Sequence, residues 1–506
     1  MKNPKAGNQK AKLLIGWATR DVTPPRPVLL HGQFYARVSE GVMDPLTTTA
    51  LALESVRGGR SAGHVILASL DCCMVSDDLL AAVRQRVKAL APKIDPQAIL
   101  LSATHTHTGP NNVARDPQTI GSLPPVNGLR ERDLGIMERR EYLDFAAGRI
   151  AAAVADAWRL RAPGGIGYGV GHAVVGLNRR VSYFTGDTRM YGQTNDPEFS
   201  HIEGHEDHAV NLLCTWDARR RLTGMLVNVA CPSQVSEHQF QVSADYWHDT
   251  RLELRRRLGR KLFILPQCSA AGDLSPHVQV GKDAEKRMLE LSRRTLRQEL
   301  AVRIADAVTA ALPAIRREVL WDAPLAHRLE RIRLPLRRIT RPEMLSARGE
   351  AEVAYARYEK ELQELAAHPE KKQQPRWYVA VTQAYCRHLW NHDVERRFRA
   401  QARQKTAPAE LHLVRLGPVA FASNPYEYYL DFGMQIKVRA PAVQTFVAQL
   451  TGGGATAYLA TQRSATGRSY GAVPASTVIG PEGGRLVAQR SVEVLAGLFA
   501  KSAKRG

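Results

Sequence analysis

His105 and His107 stand one residue apart in Ala103-Thr104-His105-Thr106-His107-Thr108-Gly109-Pro110, just past the apolar run Ala98-Ile99-Leu100-Leu101. In an extended segment, residues i and i+2 point to the same side. Two imidazoles leaving a buried strand together are placed to hold a metal ion or to meet a reacting carbonyl. Gly109-Pro110 then turns the chain away. A solvated polar loop can carry the same pattern, so it gains meaning only from partners elsewhere.

Three further segments supply such partners. One is Asn228-Val229-Ala230-Cys231-Pro232-Ser233-Gln234, continuing to Ser243-Ala244-Asp245-Tyr246. Another is Cys268-Ser269-Ala270-Ala271-Gly272-Asp273-Leu274-Ser275-Pro276. The last joins Asn424-Pro425-Tyr426-Glu427 with Tyr458 and Tyr470, near Gly452-Gly453-Gly454. Each follows an apolar stretch that reads as a strand, and loops at strand ends build the sites of layered α/β proteins.

These residues resemble the neutral/alkaline, non-lysosomal ceramidase family over about Leu14 to Ser476, its N-terminal catalytic domain. The most specific pieces are Thr104 to Pro110, like the family's histidine loop, and Gly272-Asp273-Leu274-Ser275-Pro276, like its Gly-Asp-x-Ser-Pro segment. The resemblance implies a zinc amidase that hydrolyses an N-acyl bond. It makes His105, Glu427 and Tyr458 metal ligands and sets His107 beside the metal as a proton carrier. It gives Tyr470 the oxyanion, Arg179 a supporting role, and Asp273 and Ser275 the positioning of polar groups near the metal. Zinc with an open position lowers the pKa of bound water from ~15.7 towards ~7 and polarises the carbonyl.

One position departs from the family. Cys231 stands where the family has its second zinc histidine. A thiolate is a good zinc ligand, so Cys231 is expected in the metal set, of one ion per chain. Three alternatives stay open: a buried inert thiol, a metal held instead by Glu237 or His238, and a site without metal. Ser275 as a nucleophile ranks lower. Pro276 follows it and Ser275 does not stand in a Gly-x-Ser-x-Gly elbow, so a turn serine bonded to backbone is the simpler reading. The polar run His201, Glu203, His205, Glu206, Asp207 and His208 reads as a solvated loop in preference to a second metal site or a substrate-contacting loop.

The elements that must position these groups alternate strands and helices. Strands are expected over 64–70, 98–102, 209–216, 222–230, 261–266, 411–416, 419–423 and 443–450. Ser76 caps a helix carrying Leu79, Leu80, Val83, Val87 and Leu90 at helical spacing. Further helices are expected over 139–161, 246–258, 282–312 (one or a pair) and 485–502. Glycine-rich 164–171 reads as a flexible strand entry, since no helix follows as in a dinucleotide-binding turn. Residues 341–406 read as a charged helical insertion, a candidate lid, whose Trp377, Tyr378, Tyr385 and Trp390 serve packing. The expected fold is α/β: layered mixed β-sheets flanked by helices, one large catalytic domain over 12–506 after a basic tail, 1–11.

The chain has 506 residues, six cysteines and a formal charge of +21. Six cysteines without a C-x-x-C pair make neither a disulfide framework nor a zinc knuckle. No apolar run is long enough to span a bilayer, and the N-terminus lacks the pattern of a secretory signal, so a cytoplasmic location is expected. No nucleic-acid-binding signature accompanies the scattered basic residues; the charge suits a small-molecule substrate with an anionic group, which Arg179 and Arg180 could meet. Ceramide is not expected as that substrate, because no secretion signal is seen and the last helix near 502 leaves no room for the family's C-terminal β-sandwich. The alternatives are a non-catalytic ligand-binding protein with a degenerate metal site and a basic nucleic-acid binder; the oligomeric state is left open.

Overall fold

A computed structural model of the chain describes residues 12–113, 123–454 and 457–503. The basic tail expected over 1–11 lies outside them. The centre is an eight-stranded mixed sheet in the order Phe263–Cys268, Leu222–Val229, Ala209–Asp217, Ala162–His172, Lys12–Asp21, Thr47–Arg57, Arg60–Leu70 and Ile99–Ala103. A four-stranded sheet of Leu325–Pro335, Thr406–Leu416, Val419–Ser423 and Gln444–Ala448 stacks on one face of it.

Side-chain alternation decides which face meets what. Leu13, Ile15, Trp17, Leu51, Leu53, Val65 and Leu67 face the second sheet, against Val414, Phe421 and Phe446. Ala18, Ala50, Ala52, Ile66 and Ala68 face the opposite way, against the helices Asp77–Leu90 and Arg139–Arg159. The far half of the sheet uses Leu212, Cys214, Met225 and Val227 against the helices Tyr246–Leu258 and Leu296–Ile315. The outer face of the second sheet packs on Leu430–Arg439 and Pro481–Ala503. The order is therefore helix, sheet, sheet, helix. Each fully buried Leu, Val or Ile in these layers contributes ~1.5–3 kcal/mol.

The glycine-rich segment is a correction. Ala162–His172 is an interior strand of the main sheet, paired on one side with Ala209–Asp217 and on the other with Lys12–Asp21. Its glycines make room rather than flexibility: a Cβ on Gly167 would come within 2.7 Å of Ile315 and one on Gly171 within 2.6 Å of the Ala307 carbonyl. Thr47–Arg57 and Leu325–Pro335 are strands that the sequence reading did not mark. The first is buried on both faces; in the second, charged side chains obscure the alternation.

Residues 341–400 form a helical hairpin, Arg341–Ala367 and Val379–Ala400. It leaves the second sheet between Leu325–Pro335 and Thr406–Leu416, which pair antiparallel along their length. Thr340 and Glu343 close a capping box at its start. Tyr358, Tyr378, Val381 and Ala384 bury its inner face against Leu29, Ala36 and Leu129. No helix among the described residues is long and apolar enough to cross a membrane.

Candidate metal centre and active site

The candidate residues sit at the C-terminal ends of paired parallel strands. Arg60–Leu70 runs parallel to Ile99–Ala103, Leu222–Val229 to Phe263–Cys268, and Val419–Ser423 to Gln444–Ala448. The chain leaves these ends as the turn carrying Cys73, the loop carrying His105 and His107, the Cys231 and Gln234 loop, the Asp273 loop, and the segments reaching Glu427 and Tyr458. The main and second sheets thus deliver their exits to one place.

There His105 is the centre. Its Nδ1 lies 2.6 Å from the Cys73 carbonyl oxygen, which fixes the ring and leaves Nε2 facing inward. Nε2 is 3.4 Å from Nε2 of His107 and 3.3 Å from Oε2 of Glu427. Cys73 Sγ is 3.7 Å from His105 Nδ1. Cys73, His105 and His107 form a buried group whose ligating atoms all lie within 4.8 Å of one another, a group that could hold a metal ion. His105 takes up a left-handed backbone (φ 62°) to present its ring there, a strain of the kind held at functional sites.

A second layer holds these groups. Glu427 pairs with Tyr458 across a short parallel bridge. Arg179, fully buried, donates to the Tyr458 hydroxyl at 3.3 Å, the Tyr191 hydroxyl at 2.9 Å, Gln234 Oε1 at 3.2 Å and the Gly272 carbonyl at 3.0 Å. Gln234 Nε2 lies 3.0 Å from His107 Nε2, and Glu237 Oε2 stands 3.5 Å from His107 Nδ1. Arg37 ties four loop carbonyls together, donating to His31 (2.7 Å), His107 (2.5 Å), Glu237 (2.7 Å) and Gln239 (2.8 Å). The Tyr470 ring packs edge-on to Tyr458, centroids 5.4 Å apart, and against Phe34 and Trp390.

The electrostatics follow from burial and close charges. Burial alone would lower the His105 pKa, but Cys73 and Glu427 more than offset it and hold it well above the ordinary imidazole range. Burial would raise Glu427; His105 and Arg179 bring it below the usual carboxylate value. His107 is driven well down by burial and by His105, so its ring stays neutral. His31 is lowered to about 3, chiefly by burial, and its Nδ1 has no hydrogen-bond partner.

His31, Cys73, His105, His107, Glu427, Tyr458, Tyr470 and Trp390 line a cavity of about 620 Å³. Of the residues expected at the site, His105, His107, Glu427, Tyr458 and Tyr470 meet in it, and Arg179 stands directly behind. Cys231 does not reach it. Its Sγ contacts the Val175 and Pro232 carbonyls at 3.4 and 3.3 Å inside an apolar cluster, and burial raises its pKa well above the ordinary thiol value. It fits the buried inert thiol. Ser275 is fully buried and its Oγ accepts from the His277 amide at 3.2 Å, the turn-serine arrangement. Asp273 lies outside the cavity, accepting from Asn178 Nδ2 at 3.0 Å and the Leu430 amide at 2.9 Å; it braces the loop beside Arg179. Arg180 is committed to buried Glu203 at 2.6 Å, so neither arginine is free for an anion. In the rest of the 201–208 run His201 and His205 are exposed, Glu206 pairs with His208 and Asp207 with Lys437, and the run gathers no metal group among the described residues. His238 is exposed, whereas Glu237 stands behind His107.

Sequence reasoning missed Cys73, His31 and Arg37. A signal existed for Cys73: its turn leaves a strand next to the one that delivers His105. His31 and Arg37 lie in an irregular segment whose placement only the packed loops reveal. Trp390, read as packing, also faces the cavity.

No family model matches the chain, and no curated protein does. Solved structures do. Neutral ceramidase from Pseudomonas aeruginosa superposes with a TM-score of 0.66 at 18% identity, over 97% of this chain and 75% of that one. A structure described as ceramidase complexed with C2 gives 0.66 at 16%, over 97% and 76%. The chain has a neutral ceramidase-like fold.

Proposed function

We propose that the protein is a metal-dependent hydrolase that cleaves an amide (N-acyl) bond with water, and that its metal is zinc. The observation that carries this reading is the convergence of a thiol, two imidazoles and a carboxylate from both sheets in one buried cavity. The donor set fits zinc, which takes sulfur, nitrogen and oxygen ligands. The 3.4 Å and 3.3 Å separations around His105 Nε2 suit two ligands, each about 2.0–2.1 Å from one ion.

Cys73, His105, His107 and Glu427 would hold the ion, with Tyr458 beside Glu427. When bound, it supplies a Lewis acid for the acyl carbonyl and acidifies water. The remaining work falls to the chain. Glu237 steadies His107 from behind, as carboxylates do for metal-binding histidines. Arg179 pins the Tyr458 phenol. The Tyr470 hydroxyl donates to the oxygen of the carbonyl as it turns tetrahedral, where one donor typically counts for ~10²–10³ in rate. The neutral His31 ring accepts a hydrogen bond from the attacking water and orients it. Burial of Cys73, His105, His107 and Tyr458 limits the access of bulk water.

The test is a panel of N-acyl compounds assayed before and after chelation, with zinc restored. Turnover that stops with chelation and returns with zinc supports the reading; chelator-insensitive turnover removes the metal from it. A folded protein that neither binds metal nor turns over any amide would be a ligand-binding protein on the same scaffold.

A further inference from the structure

A second, larger cavity of about 1230 Å³ opens between the helical hairpin and the segment 465–475. Trp390 and Ala475 line both it and the metal-site cavity, so the two share a wall. Building on the amide-hydrolase reading, we propose that this chamber binds an anionic group of the substrate, a carboxylate or a phosphate, through Arg357, Arg387 and Arg468.

Pairing across the hairpin carries the argument. Four of the hairpin's arginines that lie outside the chamber are neutralised: Arg348 and Arg399 by Glu395, Arg396 and Arg397 by Asp393. Arg337, at the chamber's edge, is taken by Glu343 at 2.9 Å. Arg357, Arg387 and Arg468 also line the chamber, and none of them meets a carboxylate among the described residues. Glu350 is the one acid of the lining not already engaged. Three guanidiniums against one carboxylate leave a net positive chamber, and guanidinium binds carboxylate or phosphate through paired hydrogen bonds.

One of the three is aimed as well as charged. The Arg387 guanidinium lies 4.1 Å from the Phe34 ring centroid and 5.7 Å from that of Trp390. Both rings pack on Tyr470, which packs on Tyr458 at the metal site. The anion would therefore sit beyond two aromatic rings from the reacting carbonyl. The remaining lining, with Val353, Val473 and Pro474, offers apolar surface for the linking part of the molecule.

The test measures binding, not turnover, so the hydrolase reading can fail without deciding it. The full chain, stripped of metal by chelation, is titrated calorimetrically with N-hexanoyl-glutamate, N-hexanoyl-phosphoethanolamine and the neutral N-hexanoyl-glutamine. At least one anionic probe should bind about tenfold or more tighter than the neutral one, and the stronger of the two names the anion. Replacing Arg357→Ala, Arg387→Ala and Arg468→Ala together should erase that preference and leave the neutral probe unchanged. The three side chains are exposed, so the fold should survive, as circular dichroism would register. Added salt should shrink the preference in the unaltered chain. Equal binding of all probes, no binding of any, or a triple variant that keeps the preference or weakens the neutral probe equally would overturn the proposal.

Discussion

His105 Nε2 lies 3.3 Å from Glu427 Oε2, although one follows the edge strand of the main sheet and the other follows a strand of the second. That contact is where two stacked sheets become one site. It exists because parallel strands in both sheets end at the same rim, with His105 buried and Glu427 half-buried there.

Cys73 is the proposed ligand least expected from the family pattern, and its sulfur can be followed directly. Cobalt-substituted protein should show a sulfur-to-cobalt charge-transfer band in the near ultraviolet. Cys73→Ser should abolish the band, while Cys231→Ser should leave it intact. A band that survives Cys73→Ser and disappears with Cys231→Ser would reverse the assignment.

Gly32 gives His107 its place. A Cβ there would lie 2.6 Å from His107 Cγ, at a backbone φ of 108° that side-chain-bearing residues rarely adopt. Gly32→Ala should push the His107 ring aside and weaken metal affinity by about 10–100-fold, the range seen when ligand orientation is lost. Competition with a chromogenic chelator measures it. Unchanged affinity would mean that His107 does not hold the ion.

Tyr470→Phe removes one hydroxyl and no ring packing. On an amide that the protein turns over, kcat should fall about 10²–10³-fold with KM little altered, because the bond forms as the carbonyl oxygen gains charge. A change confined to KM would make Tyr470 a binding group.

Asp273 predicts a pH signature. Burial raises its pKa from the model-compound 3.8 to about 6. The folded state therefore keeps a proton that the unfolded chain releases. The stabilising contribution is complete below about pH 4 and is lost as pH rises to about 6, a change of about 3 kcal/mol. Urea unfolding across that window should show this slope, and Asp273→Asn should flatten it. An identical slope in the variant would rule out Asp273 as its source.

Much of this was legible in the sequence where one physical signal dominated. Helical spacing and capping marked the Ser76 helix, an apolar run marked the strand before His105, spacing marked His105 and His107, and the family resemblance marked Glu427, Tyr458 and Tyr470. What was hidden depended on packing between distant segments. Gly165 to Gly171 reads as flexible until Ile315 and Trp216 are seen to need the space. Cys231 reads as a ligand because its neighbours match, yet its sulfur turns toward Val175. Arg37 has no local signal at all; its four carbonyl partners belong to loops that only the folded chain assembles.

The central claim is that His105 and Glu427 help to hold one metal ion that amide hydrolysis requires. Metal content of the purified protein, with His105→Ala and Glu427→Gln beside it, tests this most directly. The account predicts about one zinc per chain in the unaltered protein, and loss of both zinc and turnover in each variant while the fold persists. Full zinc retention in both variants, or amide turnover by protein shown to be free of metal, would contradict it.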